Sequence, residues 1–493
     1  MEKKLDLKQK ELNSFRVVTN FFWRFFERCG AQGVSFIVSI VLARLIEPEA
    51  YGTIALVTVF STILQVFVDS GMANALIQKK DVDDLDFSTV FFFNVIVCFF
   101  LYLLIFVAAP FIASFYRQPE LEAVIRVLCL TVVISGIRNV QQAYVSKMMQ
   151  FKRFFFATVG GTVVSAIIGI VLAYLGFGVW ALVVQQVLNT LVGTIILWVT
   201  VKWRPKKMFS FQRLKGLFSY GWKLLAASLI DRVYNELRSL IIGKMYSATD
   251  LAYYNRGNQF PNVIVTNINT SIDSVLLPTM SAEQDHQDRV RAMTRRAIKT
   301  STYIMMPLMM GLAICAEPIV RILLTEVWLP CVPYLRIFCF TFALYPIHTA
   351  NLNAIKAMGR SDMFLKLEII KKIVGLIALI STMWFGVIWM AYSLLFTAVI
   401  SSIINAFPNR KLLNYSYLNQ IQDMCPQIIL SCIMGGIVYI VQFIGLNDIV
   451  TLILQIILGA IIYISGSALF KLESFIYLWK MIKNVFSKGD CNK

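Results

Sequence analysis

Long runs of apolar residues, separated by short polar connectors, are the dominant pattern of this chain. No charged residue occurs between Phe154 and Val201, or between Ile373 and Asn409. Each run is long enough for two membrane crossings, because about 20 helical residues span a hydrocarbon core of roughly 30 Å. The period-two alternation of a transmembrane barrel is absent from the sequence. The pattern therefore predicts an all-α integral membrane protein, in which helices satisfy the backbone in lipid.

We expect about 14 transmembrane helices from the lengths of these runs. The expected helices span residues 15–45, 50–77, 87–114, 120–147, 152–175, 178–201, 216–244, 251–277, 293–316, 331–357, 363–385, 387–407, 426–445 and 448–470. The first 20 residues are polar and lack a small-residue cleavage site, so the first helix is expected to be an uncleaved anchor.

The connectors alternate between basic and cation-poor. The basic set includes the connector with Lys206, Lys207 and Arg213. The cation-poor set includes Glu47-Pro48-Glu49, Arg117-Gln118-Pro119 and Gly176-Phe177-Gly178. Basic connectors stay in the cytoplasm, so we expect both termini to face the cytoplasm. The net charge of +18 is then a topology signal, and nucleic acid is not an expected partner.

Composition excludes several classes of protein. With 58% hydrophobic and 15% charged residues, the chain cannot be a set of ordinary soluble domains. It contains no nucleotide-binding motif, and its nine cysteines and two histidines show no metal or redox spacing. We therefore expect no cofactor, no metal site and no catalytic residue. A membrane glycosyltransferase or polymerase is disfavoured, because such enzymes generally carry a sizeable extracytoplasmic domain for the acceptor sugar, whereas the outward connectors here are only a few residues long.

The chain repeats itself at an offset of about 210 residues. Four identical residues recur at this spacing: Arg126 and Arg336, Cys129 and Cys339, Thr131 and Thr341, and Ile137 and Ile347. The repeat predicts two pseudo-symmetric six-helix lobes, related by an axis along the membrane normal, with the substrate site between them. The expected divisions are an N-terminal lobe (1–201), a basic linker (202–215), a C-terminal lobe (216–412), two additional helices (413–470) and an amphipathic tail (471–493).

Two surface patterns indicate packing or lipid contact. Gly161, Ser165 and Gly169 form a small-residue stripe, which is typical of close helix contact. The tail places Phe475 and Trp479 opposite its lysines, which predicts an interfacial helix resting on anionic phospholipid.

Charged residues inside the apolar helices are the main functional signal, because a charge in lipid is unfavourable unless it is paired or hydrated. They are Arg24, Glu27, Arg28, Asp69, Arg138, Asp231, Arg232, Glu236, Arg238, Arg256 and Asp273. Two interpretations stay open for them. They line a wet central cavity, or they form internal ion pairs that lock the bundle.

Several segments resemble polysaccharide exporters of the Wzx type, in the multidrug/oligosaccharidyl-lipid/polysaccharide exporter superfamily. The segments are 42–52, 69–71, 75–78, Tyr254-Asn255-Arg256, Leu277-Pro278-Thr279-Met280-Ser281, Pro307, Ala316-Glu317-Pro318 and Trp328. The likeness is strongest to the colanic-acid and O-antigen exporters of lipopolysaccharide biosynthesis. It implies a V-shaped flippase with a cationic cavity, which moves undecaprenyl-pyrophosphate-linked oligosaccharide units across a bacterial inner membrane by alternating access. A polysaccharide polymerase and glycosyltransferases would be its partners.

For such a substrate, the candidate binding residues are Arg24, Arg28, Arg232 and Arg256. Arginine stays charged when partly buried and can hold two phosphate oxygens at once. The carboxylates Asp69, Asp231 and Glu236 are candidates for ion coupling, because burial can bring such groups into a range where they exchange protons. A peptidoglycan-precursor flippase and a cation-coupled multidrug exporter with the same fold are the alternatives.

Overall fold

The computed structural model describes residues 30–69, 72–79 and 81–490, and these are almost entirely helical, with no strand. The helices are α1 (Gly30–Leu45), α2 (Pro48–Asp69), α3 (Met72–Gln78), α4 (Asp84–Tyr116), α5 (Glu120–Leu128), α6 (Leu130–Lys147), α7 (Phe151–Tyr174), α8 (Val179–Thr200), α9 (Phe211–Met245), α10 (Ala248–Ala282), α11 (Gln287–Ile314), α12 (Ala316–Leu323), α13 (Val332–Ala343), α14 (Tyr345–Ala357), α15 (Ser361–Thr382), α16 (Val387–Leu412), α17 (Tyr417–Ile440), α18 (Asp448–Leu469) and α19 (Glu473–Asp490). Short 3₁₀ segments occupy Glu326–Cys331 and Val441–Ile444.

The prediction of an all-α membrane protein is confirmed. Within the described residues, nine helical stretches are long and apolar enough to cross a membrane. The other expected crossings correspond to α1, the α5–α6 pair, α9, α10 and α15. Of these, α9 and α15 carry several charges, and the described part of α1 is short. The count of 14 crossings therefore stays a prediction.

Two expected helices are interrupted within the described residues. The expected helix 120–147 forms α5 and α6, which meet at Cys129, and the expected helix 331–357 forms α13 and α14, which meet at Leu344. Pro346 accounts for the second interruption, since its ring excludes the preceding residues from a continuous helix. No proline explains the first. The expected helix 50–77 corresponds to α2 and α3, and residues 70–71 between them lie outside the described residues.

The described residues form two compact packing units, unit 1 up to Ala252 and unit 2 from Tyr253 onward. In unit 1, α7 packs on α8, while α2 contacts α6 and α9. Because α9 also packs on α3 and α4, it lies with unit 1, although the repeat assigns its sequence to the second half. The lobe boundaries predicted from the repeat stay a prediction.

The small-residue stripe of α7 allows the close α7–α8 contact. A Cβ atom on Gly161 would lie 2.8 Å from the carbonyl oxygen of Asn189, and one on Gly169 would lie 2.9 Å from the Gln185 side chain. The two helices approach this closely because neither glycine carries a side chain.

Hydrogen bonds and an ion pair hold the segment 201–210 against the start of α4. Asp83 caps α4 and accepts a hydrogen bond from the backbone of Asp86 at 2.9 Å, which lowers the pKa of Asp83. The neighbouring Asp84 accepts a bond from the Trp203 indole (3.1 Å) and pairs with Lys206 (2.6 Å). Ser88 and Thr89 accept hydrogen bonds from the backbone amides of residues 206 and 210. This part of the basic linker is therefore an ordered part of unit 1.

Unit 2 contains a buried amide ladder, defined here as Asn351 on α14, Asn409 on α16 and Gln420 on α17. All three residues are fully buried. Asn351 donates to Gln420 at 2.8 Å, and both Asn409 (2.6 Å) and Gln420 (3.0 Å) donate to the Asn351 side-chain oxygen. Since each amide offers both donors and an acceptor, the three helices are joined without any charge.

A group of charged side chains joins α11, α17 and α19 in the same unit. Arg295 makes two bonds of 2.7 Å to Asp423, which also accepts from the Tyr415 hydroxyl at 2.8 Å. Lys299 pairs with both Asp423 (3.2 Å) and Glu473 (2.6 Å). The tail helix α19 is thus fixed to the bundle at its first residue.

Candidate functional site

Unit 1 brings several of the predicted site residues together in a charge cluster, defined here as Asp69 on α2, Arg138 on α6, and Arg232 and Glu236 on α9. Asp69 accepts hydrogen bonds from Gln65 at 3.1 Å and from Asn139 at 3.5 Å. Asn139 also donates to the carbonyl oxygen of residue 68, at 2.9 Å. The C-terminal end of α2 is therefore tied to α6 by the same amide that contacts the carboxylate.

Arg232 links the carboxylates of the charge cluster. Its guanidinium lies 3.6 Å from Glu236, one turn along α9, and it is also near enough to Asp69 to interact electrostatically. The exposed fractions of the Arg232 and Glu236 side chains are 43% and 22%, so both remain accessible. The neighbouring Asp231 accepts a hydrogen bond from Asn235 at 3.1 Å. The ion pair within α9 is the arrangement expected of a structural role, and the accessibility of Arg232 is the property expected of a binding role.

Arg138 is a member of the charge cluster that was not among the predicted binding residues. It interacts electrostatically with Asp69. Its guanidinium packs against Gly193 of α8, where an added Cβ atom would lie 3.5 Å from the Nη1 atom. Its Nε atom is buried, with no hydrogen-bond acceptor among the described residues. A buried N–H without a partner is unfavourable and is satisfied when an anion binds. The charge inside an apolar helix was the sequence signal for this residue.

Arg256 lies in unit 2 and is enclosed there, with only 5% of its surface exposed. Its Nη1 atom donates to Gln259 at 2.7 Å, and its guanidinium lies 4.9 Å from the centre of the Trp328 ring. In this conformation the arginine holds α10 to the Glu326–Cys331 segment. Contact with a substrate would require it to leave the Trp328 ring.

The remaining two members of the predicted cationic path, Arg24 and Arg28, lie outside the described residues. Of the seven predicted site residues, the structure groups Asp69, Arg232 and Glu236, with Asp231 adjacent, in unit 1. It places Arg256 in unit 2. A path that runs through all four arginines stays a prediction.

Comparison with known proteins identifies relatives over most of the chain. A family model described as polysaccharide biosynthesis protein matches residues 41–333, more than half of the length. The teichuronic acid biosynthesis protein TuaB of Bacillus subtilis is 26% identical over 62% of this chain and 63% of its own length, slightly under two thirds. The succinoglycan biosynthesis transport protein ExoT of Rhizobium meliloti is 22% identical over 71% of each chain. The lipopolysaccharide biosynthesis protein WzxC of Escherichia coli is 22% identical over 76% of this chain and 77% of its own.

Two solved structures share the fold. An inward closed structure of the lipid II flippase MurJ matches with a TM-score of 0.74 and 16% identity, covering 92% of this chain and 98% of its own. An inward-facing multidrug resistance transporter of the MATE family, in the MOP superfamily, matches with a TM-score of 0.59 and 15% identity, covering 77% and 94%. At these identities the likeness establishes a common helical fold.

Proposed function

Because this chain belongs to the family of polysaccharide biosynthesis proteins, we propose that it is a flippase for undecaprenyl-pyrophosphate-linked oligosaccharide repeat units. It carries them across the bacterial inner membrane by alternating access, for the synthesis of a surface polysaccharide. The resemblance to polysaccharide exporters of the MOP superfamily is confirmed, and the chain is a multi-pass membrane protein. The relatives named for succinoglycan transport and lipopolysaccharide biosynthesis support this substrate class.

The observation that carries the proposal is the accessible guanidinium of Arg232 beside two carboxylates. A pyrophosphate that crosses a dry membrane centre would have to lose its hydration, which is prohibitively unfavourable without a charged partner. Arg232 supplies that partner, and the buried Nε of Arg138 offers a second donor. In the absence of substrate, Glu236 pairs with Arg232, and Asp69 interacts electrostatically with Arg138 and Arg232. The pyrophosphate displaces the two carboxylates when it arrives, so the arginines keep an anionic partner throughout, and Asp69 retains its hydrogen bonds from Gln65 and Asn139.

The carboxylates Asp69, Asp231 and Glu236 are the proposed points of ion coupling, since the chain has no nucleotide-binding motif to supply energy. A polymerase and glycosyltransferases are the proposed partners, and anionic phospholipid is the proposed contact of α19. The shared fold of the MurJ and MATE structures also suits a peptidoglycan-precursor flippase or a drug exporter. The family match favours the polysaccharide function over both.

The test replaces Arg232 in the organism's own polysaccharide system. Arg232→Gln should abolish surface polysaccharide, Arg232→Lys should restore it partly at best, and lipid-linked repeat units should accumulate in the inner membrane. The matched control is Lys223→Gln, an exposed cation on the same helix. Normal export by Arg232→Gln at a normal protein level would contradict the proposal. Recovery of level and export in the Arg232→Gln, Glu236→Gln double variant would show that the pair is structural.

A further inference from the structure

Three cation-poor connectors of unit 1 surround a cavity of 870 Å³, which we name the outer vestibule. They are the α1–α2, α4–α5 and α7–α8 connectors. Cation-poor connectors are predicted to face away from the cytoplasm. The volume lies within the roughly 300–1,000 Å³ typical of small-molecule sites. Among the described residues assigned to the substrate's pyrophosphate, none lines it.

Charged side chains of both signs line the vestibule. They are Glu47, Glu49, Arg117 and Glu120. All four are exposed, and none forms an ion pair with another residue in the described part of unit 1. Three carboxylates and one guanidinium leave an excess of negative charge. These groups supply many hydrogen-bond acceptors and one planar set of donors, pointed at solvent.

Two aromatic rings complete the lining. Phe177 is 53% exposed and stands on a turn between Gly176 (φ +81°) and Gly178 (φ +51°), two backbone positions that favour glycine. Trp180, at the start of α8, is half-buried. Neither ring stacks on another aromatic ring within the described residues. A flat apolar face next to unoccupied hydrogen-bonding groups is a combination suited to a ligand that is itself apolar on one face and hydroxylated at its edges.

We propose that the outer vestibule binds the sugar portion of the transported lipid, as it arrives on the outer side of the membrane. This inference rests on the proposed function and adds a second contact for the same substrate. Carboxylates accept hydrogen bonds from sugar hydroxyls, and Trp180 and Phe177 pack against the C–H face of a pyranose ring. The negative excess selects neutral or amino sugars and disfavours uronic acids, whose carboxylates would meet Glu47, Glu49 and Glu120.

The test is saturation-transfer NMR with the full chain in nanodiscs and four soluble probes. The probes are cellotetraose, chitotetraose, its deacetylated amino form and tetragalacturonate. We expect transfer to a neutral or amino probe and none to tetragalacturonate. Trp180→Ala should weaken binding by about tenfold, and Glu120→Gln should weaken it less. The matched controls, Trp384→Ala and Glu326→Gln, change an exposed tryptophan and an exposed glutamate outside the vestibule, and should bind as the wild type does.

Several outcomes would overturn the inference. The first is that no probe binds at roughly 10 mM, the weak end of measurable affinity. The second is that tetragalacturonate binds as well as the neutral and amino probes. The third is that the control variants lose as much binding as the vestibule variants. Binding that requires Ca²⁺ and disappears with a chelator would show a cation site instead. Flipping of lipid-linked oligosaccharide in proteoliposomes is measured separately. Absence of sugar binding with normal flipping contradicts this inference alone, and sugar binding without flipping contradicts the proposed function alone.

Discussion

The Nζ atom of Lys299 on α11 lies 2.6 Å from a carboxylate oxygen of Glu473, the first residue of α19. The hydrogen bond from Lys299 holds the pKa of the Glu473 carboxyl below its usual range. A carboxyl with a lowered pKa stabilises the docked helix above the ordinary pKa of glutamate, and this contribution is lost as the pH falls through the lowered value. Because Glu473 is 78% exposed, the contribution stays below about 1 kcal/mol.

We therefore expect Glu473→Gln to loosen the start of α19 at neutral pH. Hydrogen exchange of the amides after residue 476 should be faster than in the wild type, and the difference should vanish in acid, where the wild-type carboxylate is protonated. Glu326→Gln, which changes an exposed glutamate elsewhere in unit 2, serves as the control. A difference between variant and wild type that persists in acid would contradict this account.

Asp423 pairs with Arg295 and Lys299 and accepts a hydrogen bond from the Tyr415 hydroxyl. Only 10% of its side chain is exposed. Asp423→Asn removes the charge that balances two cations, so we expect a loss of about 2–3 kcal/mol in the free energy of unfolding. The measurement is the Tm of the detergent-solubilised protein. Asp362→Asn breaks an exposed pair with Arg360 and should leave Tm unchanged. Equal effects of the two variants would refute the assignment.

Gly52 on α2 packs against the start of α10. A Cβ atom there would lie 1.7 Å from the carbonyl oxygen of Ala248, so Gly52→Ala forces the two backbones apart. We expect a loss of at least about 2 kcal/mol and reduced membrane accumulation. Gly216 on α9 has open space around it, and Gly216→Ala should be neutral or stabilising by about 0.4–1 kcal/mol. Tm and membrane protein level measure both, and a stable Gly52→Ala protein would disprove the contact.

Topology is tested with single cysteines in a cysteine-free background. Val327 (58% exposed) lies in a cation-poor connector, whereas Lys207 lies in the basic one and is also exposed. An impermeant thiol reagent added to intact spheroplasts should label Val327→Cys and should reach Lys207→Cys only after the membrane is opened. The reverse order, or equal labelling from outside, would refute the expected orientation.

The sequence predicted the class of fold because uncharged runs of helical length have few alternatives in water or lipid. The interruption at Leu344 was within reach of the sequence, since Pro346 marks it, but the interruption at Cys129 carries no such signal. The pairing of Arg232 with Glu236 can be inferred from the sequence, because the two residues are four positions apart on one helix. The approach of Arg138 to Asp69 joins residues 69 positions apart, and only the packing of α6 against α2 reveals it.

The amide ladder of Asn351, Asn409 and Gln420 has a consequence for how an energised membrane acts on the protein. Voltage does work on displaced charge, about 2.3 kcal/mol per unit charge for each 100 mV. The ladder carries no formal charge and no group that titrates near neutral pH. The hydrogen bonds of the ladder are therefore indifferent to both components of a proton gradient, the voltage and the pH difference. The charge cluster around Asp69 and Arg232 differs from the ladder in this respect. It carries charges on which an electric field acts and carboxylates that can bind protons.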